Sequence, residues 1–417
     1  MSLQNKYWAI KFSIVINYCV FAILLNSVGT VILQVQSSFG VTESAASVLE
    51  AYKDLSIALV SFLVAAFIAR AGYKRTMLFG LGFIGLVCLA MPQVPTFWMN
   101  KLMFAATGAS FALIKVSVFA TIGLISADRK EHVSMMNFLE AFFMLAVLSG
   151  YFVFSGFIDD AEPGSLAWFD VYYALAALSS LAFIILLFTG LDESEVEHST
   201  SKSALRDFIS MLKLCFKPLV LVFVISIFLY VLIEQGIMSW LPTFNNKILS
   251  LPASLSIQMT SLLAGSIALG RFIAGFVSKK IDWYPMLVTS LLFAAALVLI
   301  ALPLAESVDS SVPVTGWLSA PIAAFIFPLI GLCLAPVYPI INSVMLSALD
   351  KNQQAAMTGL IVVFSALGGT TGSIITGALF EHFDGATAFY CSLIPIAIIL
   401  LMLTLFKRQT DRISHAS

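Results

Sequence analysis

Long apolar runs separated by short polar segments dominate the chain. Twelve such runs can be counted, most of them near or beyond the roughly 20 residues that cross a bilayer core as a helix. The runs cover residues 10–36, 44–69, 76–93, 97–126, 133–157, 167–190, 216–245, 253–278, 284–304, 314–348, 354–381 and 386–407. The pattern therefore predicts an all-α membrane protein with twelve transmembrane helices.

Composition points to the same solvent. Of the 417 residues, 60% are hydrophobic and 11% are charged, whereas soluble domains carry about 25% charged residues. So little polar surface indicates that lipid is the main surrounding. A net charge of −1 argues against a nucleic-acid partner. The five cysteines are interpreted as small core residues rather than a disulfide or metal set; they are Cys19, Cys88, Cys215, Cys333 and Cys391.

The longest polar stretch divides the runs six and six. We expect an N-terminal six-helix half at 1–190, a cytoplasmic linker at 191–217 and a C-terminal six-helix half at 218–417. A faint repeat agrees with this division, because basic residues followed by Met-Leu occur after the second run and again after the eighth. Two six-helix halves are a recurring plan of secondary transporters.

Basic residues lie in alternate loops, which predicts that these loops and both termini are cytoplasmic. The first run is too long for a signal sequence and is interpreted as the first span. Short tails and compact loops favour a bacterial inner membrane. The basic positions are Arg70, Lys74, Arg75, Arg129, Lys130, Lys279, Lys280, Lys351, Lys407, Arg408 and Arg412, together with those of the linker.

Lys115 lies in the middle of the run 97–126. A charge at the centre of a membrane helix costs on the order of 3 kcal/mol on insertion scales. Its neighbours should therefore be other helices or a water-filled cavity, which places it on a solute path. The alternative is a structural ion pair with Asp54 or Glu140, and the sequence leaves both interpretations open.

Carboxylates inside spans are candidates for proton coupling, because a carboxyl group in apolar surroundings is either protonated or paired. Glu234 lies mid-span in the seventh run and is the first candidate, followed by Asp54 and Glu50. Glu50, Lys53 and Asp54 can share one helix face. The alternatives are a self-neutralising cluster in the second run and a neutral Glu234 hydrogen-bonded across helices.

Amide and aromatic side chains within the spans suit a sugar or a small acid, since they combine stacking faces with donors and acceptors. Such residues also hold helices together. The predicted solute-contact residues, besides Lys115, are Asn17, Asn26, Gln235, Trp240, Tyr338 and Asn342. Gly236 predicts a helix that is broken or softened around a ligand, whereas Gly368 and Gly372 predict close helix packing.

Four further residues are predicted to form gates or interdomain contacts. Arg70 and Lys74 lie in the loop after the second run. Glu140 is expected to interact with a helix end or with the Arg129–Lys130 loop. Arg271 lies near the cytoplasmic end of the eighth run, where a gate role is favoured over solute contact.

The stretch from Ala65 to Lys74 resembles the loop signature Gly-x-x-x-Asp-Arg-x-Gly-Arg-Lys of the major facilitator superfamily. Arg70, Gly72 and Lys74 match, whereas Ala65, Ala69 and Tyr73 depart. The missing acid at Ala69 puts the usual charge cluster of this loop in question. The resemblance implies the major facilitator fold, with two halves that alternate around a midplane site, and a functional monomer.

The seventh run resembles the fucose, galactose and glucose proton-symporter branch of that superfamily. The matching segments are Phe228 to Leu241 and Gly270-Arg271-Phe272. The resemblance implies proton-coupled import of a sugar or related solute. That branch has carboxylates in spans 1 and 4, but this chain has no acid in span 1 and Lys115 in span 4. The exchange favours an anionic solute such as a sugar acid, an acidic amino sugar or a small carboxylate.

A proton-coupled exporter of metabolites or amphipathic drugs is the alternative function. The fifth run lacks the proline of the drug-antiporter motif, which weighs against drug efflux. The linker is too short for a signalling domain, which weighs against a receptor. No Walker loop, zinc spacing or nucleophile elbow is found, so neither an enzyme nor a cofactor is predicted. The expected partners are a small solute, protons and the lipid bilayer.

Overall fold

The computed structural model describes residues 3–64, 68–126, 129–191, 193, 215–308, 313–347, 349 and 351–414. All regular elements in this part of the chain are helices. The first set comprises α1 (Leu3–Asn26), α2 (Val28–Phe39), α3 (Glu43–Val64), α4 (Ile68–Ala71), α5 (Tyr73–Ala90), α6 (Phe97–Ile125), α7 (Arg129–Ser155) and α8 (Val171–Phe188), with a 3₁₀ turn at Ala167–Asp170.

The second set of helices follows the linker. It comprises α9 (Pro218–Lys247), α10 (Ala253–Val277), α11 (Trp283–Glu306), α12 (Ala323–Ile326), α13 (Ile330–Leu334), α14 (Val337–Ser347), α15 (Lys351–His382), α16 (Gly385–Tyr390) and α17 (Leu393–Ser414). Two 3₁₀ turns, Trp317–Ser319 and Phe327–Leu329, both lie within the predicted tenth run.

Eleven helical stretches of the described residues are long and apolar enough to cross a membrane. The predicted second span corresponds to α3, which has 22 residues but is not among the eleven. Glu50, Lys53 and Asp54 place three charged residues within five positions of this helix. The prediction of an all-α protein with many spans is confirmed.

The predicted first span is divided at Ser27. The Asn26 side-chain amide donates to the carbonyl oxygen of Ala22 at 2.8 Å, and the Ser27 hydroxyl donates to that of Leu24 at 2.8 Å. Side chains of this kind compete with the backbone for helical hydrogen bonds. The same polar residues that make this span unusual thus coincide with the break between α1 and α2.

Proline coincides with the divisions of the tenth span. The run predicted at 314–348 contains two 3₁₀ turns together with α12, α13 and α14. Pro328 lies in the first turn of the 3₁₀ segment, and Pro336 lies between α13 and α14. Proline has no amide hydrogen to donate and its ring obstructs the preceding turn, so one uninterrupted helix is disfavoured here.

The chain divides into two compact units. The first unit contains Met1–Phe39 and Tyr52–Ala204, and the second contains Gly40–Ala51 and Leu205–Ser417. The first turns of α3 therefore belong to the second unit and the remainder to the first. The boundaries 1–190, 191–217 and 218–417 stay predictions, since residues 194–214 lie outside the described part of the chain.

Within the second unit, α9 and α15 approach each other backbone to backbone. A Cβ atom on Gly368 would overlap the carbonyl oxygen of Phe228, and one on Gly372 would overlap that of Leu232. A Cβ atom on Gly236 would lie 2.8 Å from the Thr376 hydroxyl oxygen. Small residues allow such close contacts between membrane helices.

This packing also corrects the expectation for the seventh run. The prediction of a helix broken near Gly236 is wrong, because α9 is one continuous helix of 30 residues. The absence of a side chain at Gly236 allows α15 to pack closely against α9 and does not bend α9. The packing roles predicted for Gly368 and Gly372 are confirmed by the same contacts.

We expect Gly372→Ala to destabilise the protein by about 1–3 kcal/mol, the usual cost of overpacking a close contact. Thermal unfolding of the detergent-solubilised protein would show a lower midpoint. Gly275→Ala is the matched control, because a Cβ atom there has no neighbour within 4 Å. Equal midpoints for the two variants would contradict the packing argument.

Candidate functional site

Aromatic rings on α6 lie beside Lys115. Phe111, Lys115 and Phe119 recur every four residues and so share a helix face. The Lys115 ammonium nitrogen lies 5.7 Å from the Phe111 ring centroid and 5.9 Å from that of Phe119. A cation within about 6 Å of a ring centroid is attracted by the ring. The charge predicted to avoid lipid thus has two aromatic neighbours on its own helix.

Two other helices of the first unit complete this aromatic cluster. The ring centroid of Tyr18, on α1, lies 5.9 Å from that of Phe111 and 6.3 Å from that of Phe119. Phe143, on α7, lies 5.0 Å from Tyr18. We call Tyr18, Phe111, Phe119 and Phe143 the aromatic cluster. It fixes α1, α6 and α7 around Lys115.

Glu140 belongs to the same region of the first unit. Its carboxylate interacts electrostatically with the Lys115 ammonium and with the Tyr18 hydroxyl. Lys115 and Glu140 both keep exposed surface. Among the described residues, no ion pair within 4.0 Å includes Lys115. The two opposite charges therefore share a site without closing on each other.

Of the two ion pairs left open for Lys115, the structure places Asp54 elsewhere. Asp54 pairs with Lys53, with 3.5 Å between the ammonium nitrogen and Oδ1. The carbonyl oxygen of Lys53 also packs so tightly on α6 that a Cβ atom on Gly108 would overlap it. The self-neutralising interpretation of this segment fits Lys53 and Asp54.

Glu50 lies in the portion of α3 that belongs to the second unit. Its side chain is completely buried and its Oε2 accepts a hydrogen bond from the Ser239 hydroxyl at 2.8 Å. A buried carboxyl group needs such donors to offset its lost hydration.

In the second unit, Glu234 has two polar neighbours. The Tyr230 hydroxyl, four residues earlier on α9, donates to Glu234 Oε1 at 2.8 Å. A guanidinium nitrogen of Arg271, on α10, lies 3.8 Å from the same oxygen. Arg271 therefore lies beside the predicted proton carrier, a partnership that the sequence analysis did not foresee. Its predicted gate role stays a prediction.

This polar group extends to α14 and α15. The ring centroids of Tyr230 and Tyr338 are 5.9 Å apart, and the Tyr338 hydroxyl lies 3.3 Å from the Ser365 hydroxyl. The amide oxygen of Asn342 is buried without a hydrogen-bond partner among the described residues. A buried acceptor without a partner costs free energy, and solute contact by Asn342 stays a prediction.

The remaining predicted solute contacts have structural partners. Asn17 is fully buried and donates to the carbonyl oxygen of Ser13 at 2.6 Å, whereas its own amide oxygen has no described partner. Trp240 is fully buried, and its indole donates to the carbonyl oxygen of Ser373 at 3.1 Å. Gln235 is half-buried. Solute contact by these residues, and by Asn26, stays a prediction.

A carboxylate from the segment after α8, Glu193, lies against the loop before α5. The sequence analysis did not assign it this position. The backbone amide of Lys74 donates to Glu193 Oε1 at 2.7 Å, and the Lys74 ammonium donates to the carbonyl oxygen of Leu187 at 2.9 Å. Gly72 adopts a φ of 86° there. Glu193 thus places a carboxylate at the first turn of α5. The amino-terminal end of a helix carries partial positive charge and is stabilised by a negative group. The Arg70 side chain lies outside the described residues.

Local spacing could have identified some of these neighbours. Phe111 and Phe119 each stand four residues from Lys115, and Tyr230 stands four residues from Glu234. Side chains at that spacing meet on a helix surface. The i±4 rule therefore identifies three of the contacts from sequence alone, whereas the partners on other helices have no such signal.

Most of the chain matches one known protein family. The model of the Major Facilitator Superfamily matches residues 14–370. The chain belongs to this superfamily. It is therefore an integral, multi-pass membrane protein and a transporter. A comparison with curated protein sequences gives no match.

Several solved structures share this fold. The nucleoside transporter NupG (D323A mutant) has a TM-score of 0.76 at 13% identity, covering 95% of this chain and 99% of that one. A D-xylose-proton symporter has a TM-score of 0.69 at 12% identity, covering 95% and 97%. FucP, a transporter of the same superfamily in the outward conformation, has a TM-score of 0.61 at 15% identity, covering 96% and 99%. At these identities the likeness establishes the fold.

We expect Tyr230→Phe to lower the thermal midpoint, because Glu234 loses a hydroxyl donor within an apolar span. Hydrogen bonds to charged groups contribute about 1.5–3 kcal/mol. Tyr338→Phe is the matched control, since the Tyr338 hydroxyl bonds the neutral side chains of Ser365 and Asn342 rather than a carboxylate. If Tyr338→Phe destabilised the detergent-solubilised protein as much as Tyr230→Phe, the charge-assisted bond would not be the cause.

Proposed function

We propose that the protein is a secondary active transporter that imports a small hydrophilic solute bearing a carboxylate, together with protons, by alternating access. A sugar acid or another small organic anion fits this description. The observation that carries the proposal is Lys115, a cation inside a span, with exposed surface and aromatic neighbours. The direction of transport and the coupling ion are part of the proposal.

The chemistry of Lys115 supports an anionic solute. Lysine is a compact point charge, which suits a single carboxylate better than a flat bidentate group. The aromatic cluster provides faces on which a sugar ring or carbon chain can pack. A neutral sugar would use those faces but would give no reason for keeping a cation inside a span, where its insertion is costly.

Glu234 is the proposed proton carrier. When it is ionised, Arg271 and the Tyr230 hydroxyl are positioned to stabilise its charge. When it is protonated, the attraction to Arg271 is lost and the guanidinium is released to other partners. A carboxylate whose partner changes with protonation can link proton binding to a change of conformation. Asp54 and Glu50 are the second candidates.

Relatives of the same fold make this activity reasonable. One neighbour is described as a proton symporter of D-xylose and another as a nucleoside transporter, both small hydrophilic solutes. In the proposal, the protein acts as a monomer in a bacterial inner membrane. In the same proposal, the basic loops and both termini are cytoplasmic. Lys74 and Arg271 are the proposed gate residues, with Arg70.

A solute panel tests the anion contact. We expect the thermal midpoint of the detergent-solubilised protein to rise with sugar acids or monocarboxylates and not with neutral sugars. Lys115→Ala should abolish this rise, because the carboxylate loses its counter-charge. Lys101→Ala is the control, as a second lysine on α6 near its start. A rise with neutral sugars that survives in Lys115→Ala would contradict the anion contact.

Proteoliposomes test the proton carrier. We expect Glu234→Gln to abolish solute-driven proton uptake, reported by a pH-sensitive dye inside the vesicles, because glutamine cannot exchange a proton. Solute binding in detergent should persist in this variant. Proton uptake at the wild-type rate in Glu234→Gln would assign coupling to another group. The same measurement in Asp54→Asn and Glu50→Gln would show which one.

A further inference from the structure

The Lys115 site contains a second charge that the proposed function does not use. We propose that the site selects zwitterionic solutes, which carry an ammonium group as well as a carboxylate, with Glu140 as the specificity-determining residue. This inference rests on the proposed function, because it refines the class of solute that Lys115 binds. In it, Lys115 binds the carboxylate and Glu140 binds the ammonium group.

The aromatic cluster places Glu140 in this site. Phe143 follows Glu140 by three residues on α7, so the two side chains share a helix face. The Phe143 ring centroid lies 5.0 Å from that of Tyr18 and 6.5 Å from that of Phe111. Phe111 in turn lies against the Lys115 ammonium. The same rings thus connect both charged residues.

The separation of the two charges leaves room for a solute. Lys115 and Glu140 are both exposed, they interact electrostatically, and they form no direct ion pair within 4.0 Å. An ion pair closed on itself would leave neither group free to bind. Here each group retains the capacity to meet an opposite charge from a ligand.

The charge balance of the site argues against a simple anion. A carboxylate bound to Lys115 would neutralise the lysine and leave Glu140 uncompensated and repelling it. An ammonium group on the same solute removes this repulsion and adds a second attraction. The aromatic faces also attract cations. The zwitterion is therefore the solute whose charges match those present.

Other described ionisable groups on α1 and α7 have partners of their own or lie farther along the helix. Lys11 on α1 and Glu131 on α7 pair with each other at 2.6 Å, so their charges cancel. Cys19, also on α1, donates its thiol to the carbonyl oxygen of Phe142 at 3.7 Å. His132 lies two turns before Glu140 on α7. Lys115 and Glu140 remain the opposite charges that face the aromatic cluster in the described residues.

Matched probes test the inference in the detergent-solubilised protein by thermal shift and competition. The first set is glucosaminic acid (zwitterion), gluconate (anion) and glucamine (cation). The second set is L-phenylalanine, 3-phenylpropanoate and 2-phenylethylamine. For at least one set, we expect the zwitterion to bind about tenfold more tightly than the matched anion. We expect Lys115→Ala to lose binding of both carboxylate-bearing probes.

The decisive variant is Glu140→Gln. We expect it to reduce the preference for the zwitterion to about threefold or less, because the attraction between Glu140 and the ammonium group is removed. Binding of the anion should strengthen, because the repulsion between Glu140 and the carboxylate is also removed. Glu140→Asp should retain the preference. Glu131→Gln, on the same helix but paired with Lys11, should behave like wild type. Unfolding without ligand verifies that each variant folds.

Equal affinity for zwitterion and anion, or a preference unchanged in Glu140→Gln, would overturn the inference while the proposed function stands. Anion binding that strengthens as the pH falls, and loses this dependence in Glu140→Gln, would also overturn it, by showing that a proton rather than an ammonium group compensates Glu140. If no carboxylate-bearing probe binds or is transported, both the inference and the proposed function fail.

Discussion

An ionic side chain inside an apolar span must find a polar or aromatic neighbour, and this constraint governs where the charges of this chain lie. Lys53 pairs with Asp54, and Arg271 lies beside Glu234. Glu50 accepts a hydroxyl hydrogen. Lys115 lies beside the Phe111 ring, and the carboxylate of Glu140 interacts with its charge. Because desolvation is costly for every charge, each of these arrangements also limits how the helices can pack.

Each unit contains a cation and a carboxylate within its spans, but the two pairs differ in separation and in the groups that surround them. In the second unit, Arg271 and Glu234 are 3.8 Å apart and a tyrosine hydroxyl completes the group. In the first unit, Lys115 and Glu140 are farther apart and aromatic rings occupy their surroundings. The closer pair suits a switch that depends on protonation, whereas the open pair suits recognition of an external charged group. The proposed proton carrier Glu234 and the proposed solute contact Lys115 thus lie in different units.

Helices could be predicted because their cause is local. A run of about 20 apolar residues satisfies its own backbone hydrogen bonds in lipid only as a helix, so the runs coincide with helices. Breaks were harder, because Asn26, Ser27 and Pro336 divide spans whereas Pro242 lies within the continuous α9. Whether a polar or imino residue interrupts a helix depends on its neighbours in space. The role of Gly236 could not be predicted for the same reason, because its lack of a side chain allows α15 to pack closely instead of bending α9.

Partners across helices account for what the sequence could not show. Phe111, Phe119 and Tyr230 follow from spacing, because four residues make one turn. Arg271 is 37 positions from Glu234, and no periodicity connects them. Glu140 was predicted either to contact a helix end or loop or to pair with Lys115, and spacing could not decide between these, whereas in the fold its charge acts on Lys115. A charge that looks isolated in a span is thus better treated as half of an unidentified pair, and the chemistry of the other half decides what the site can bind.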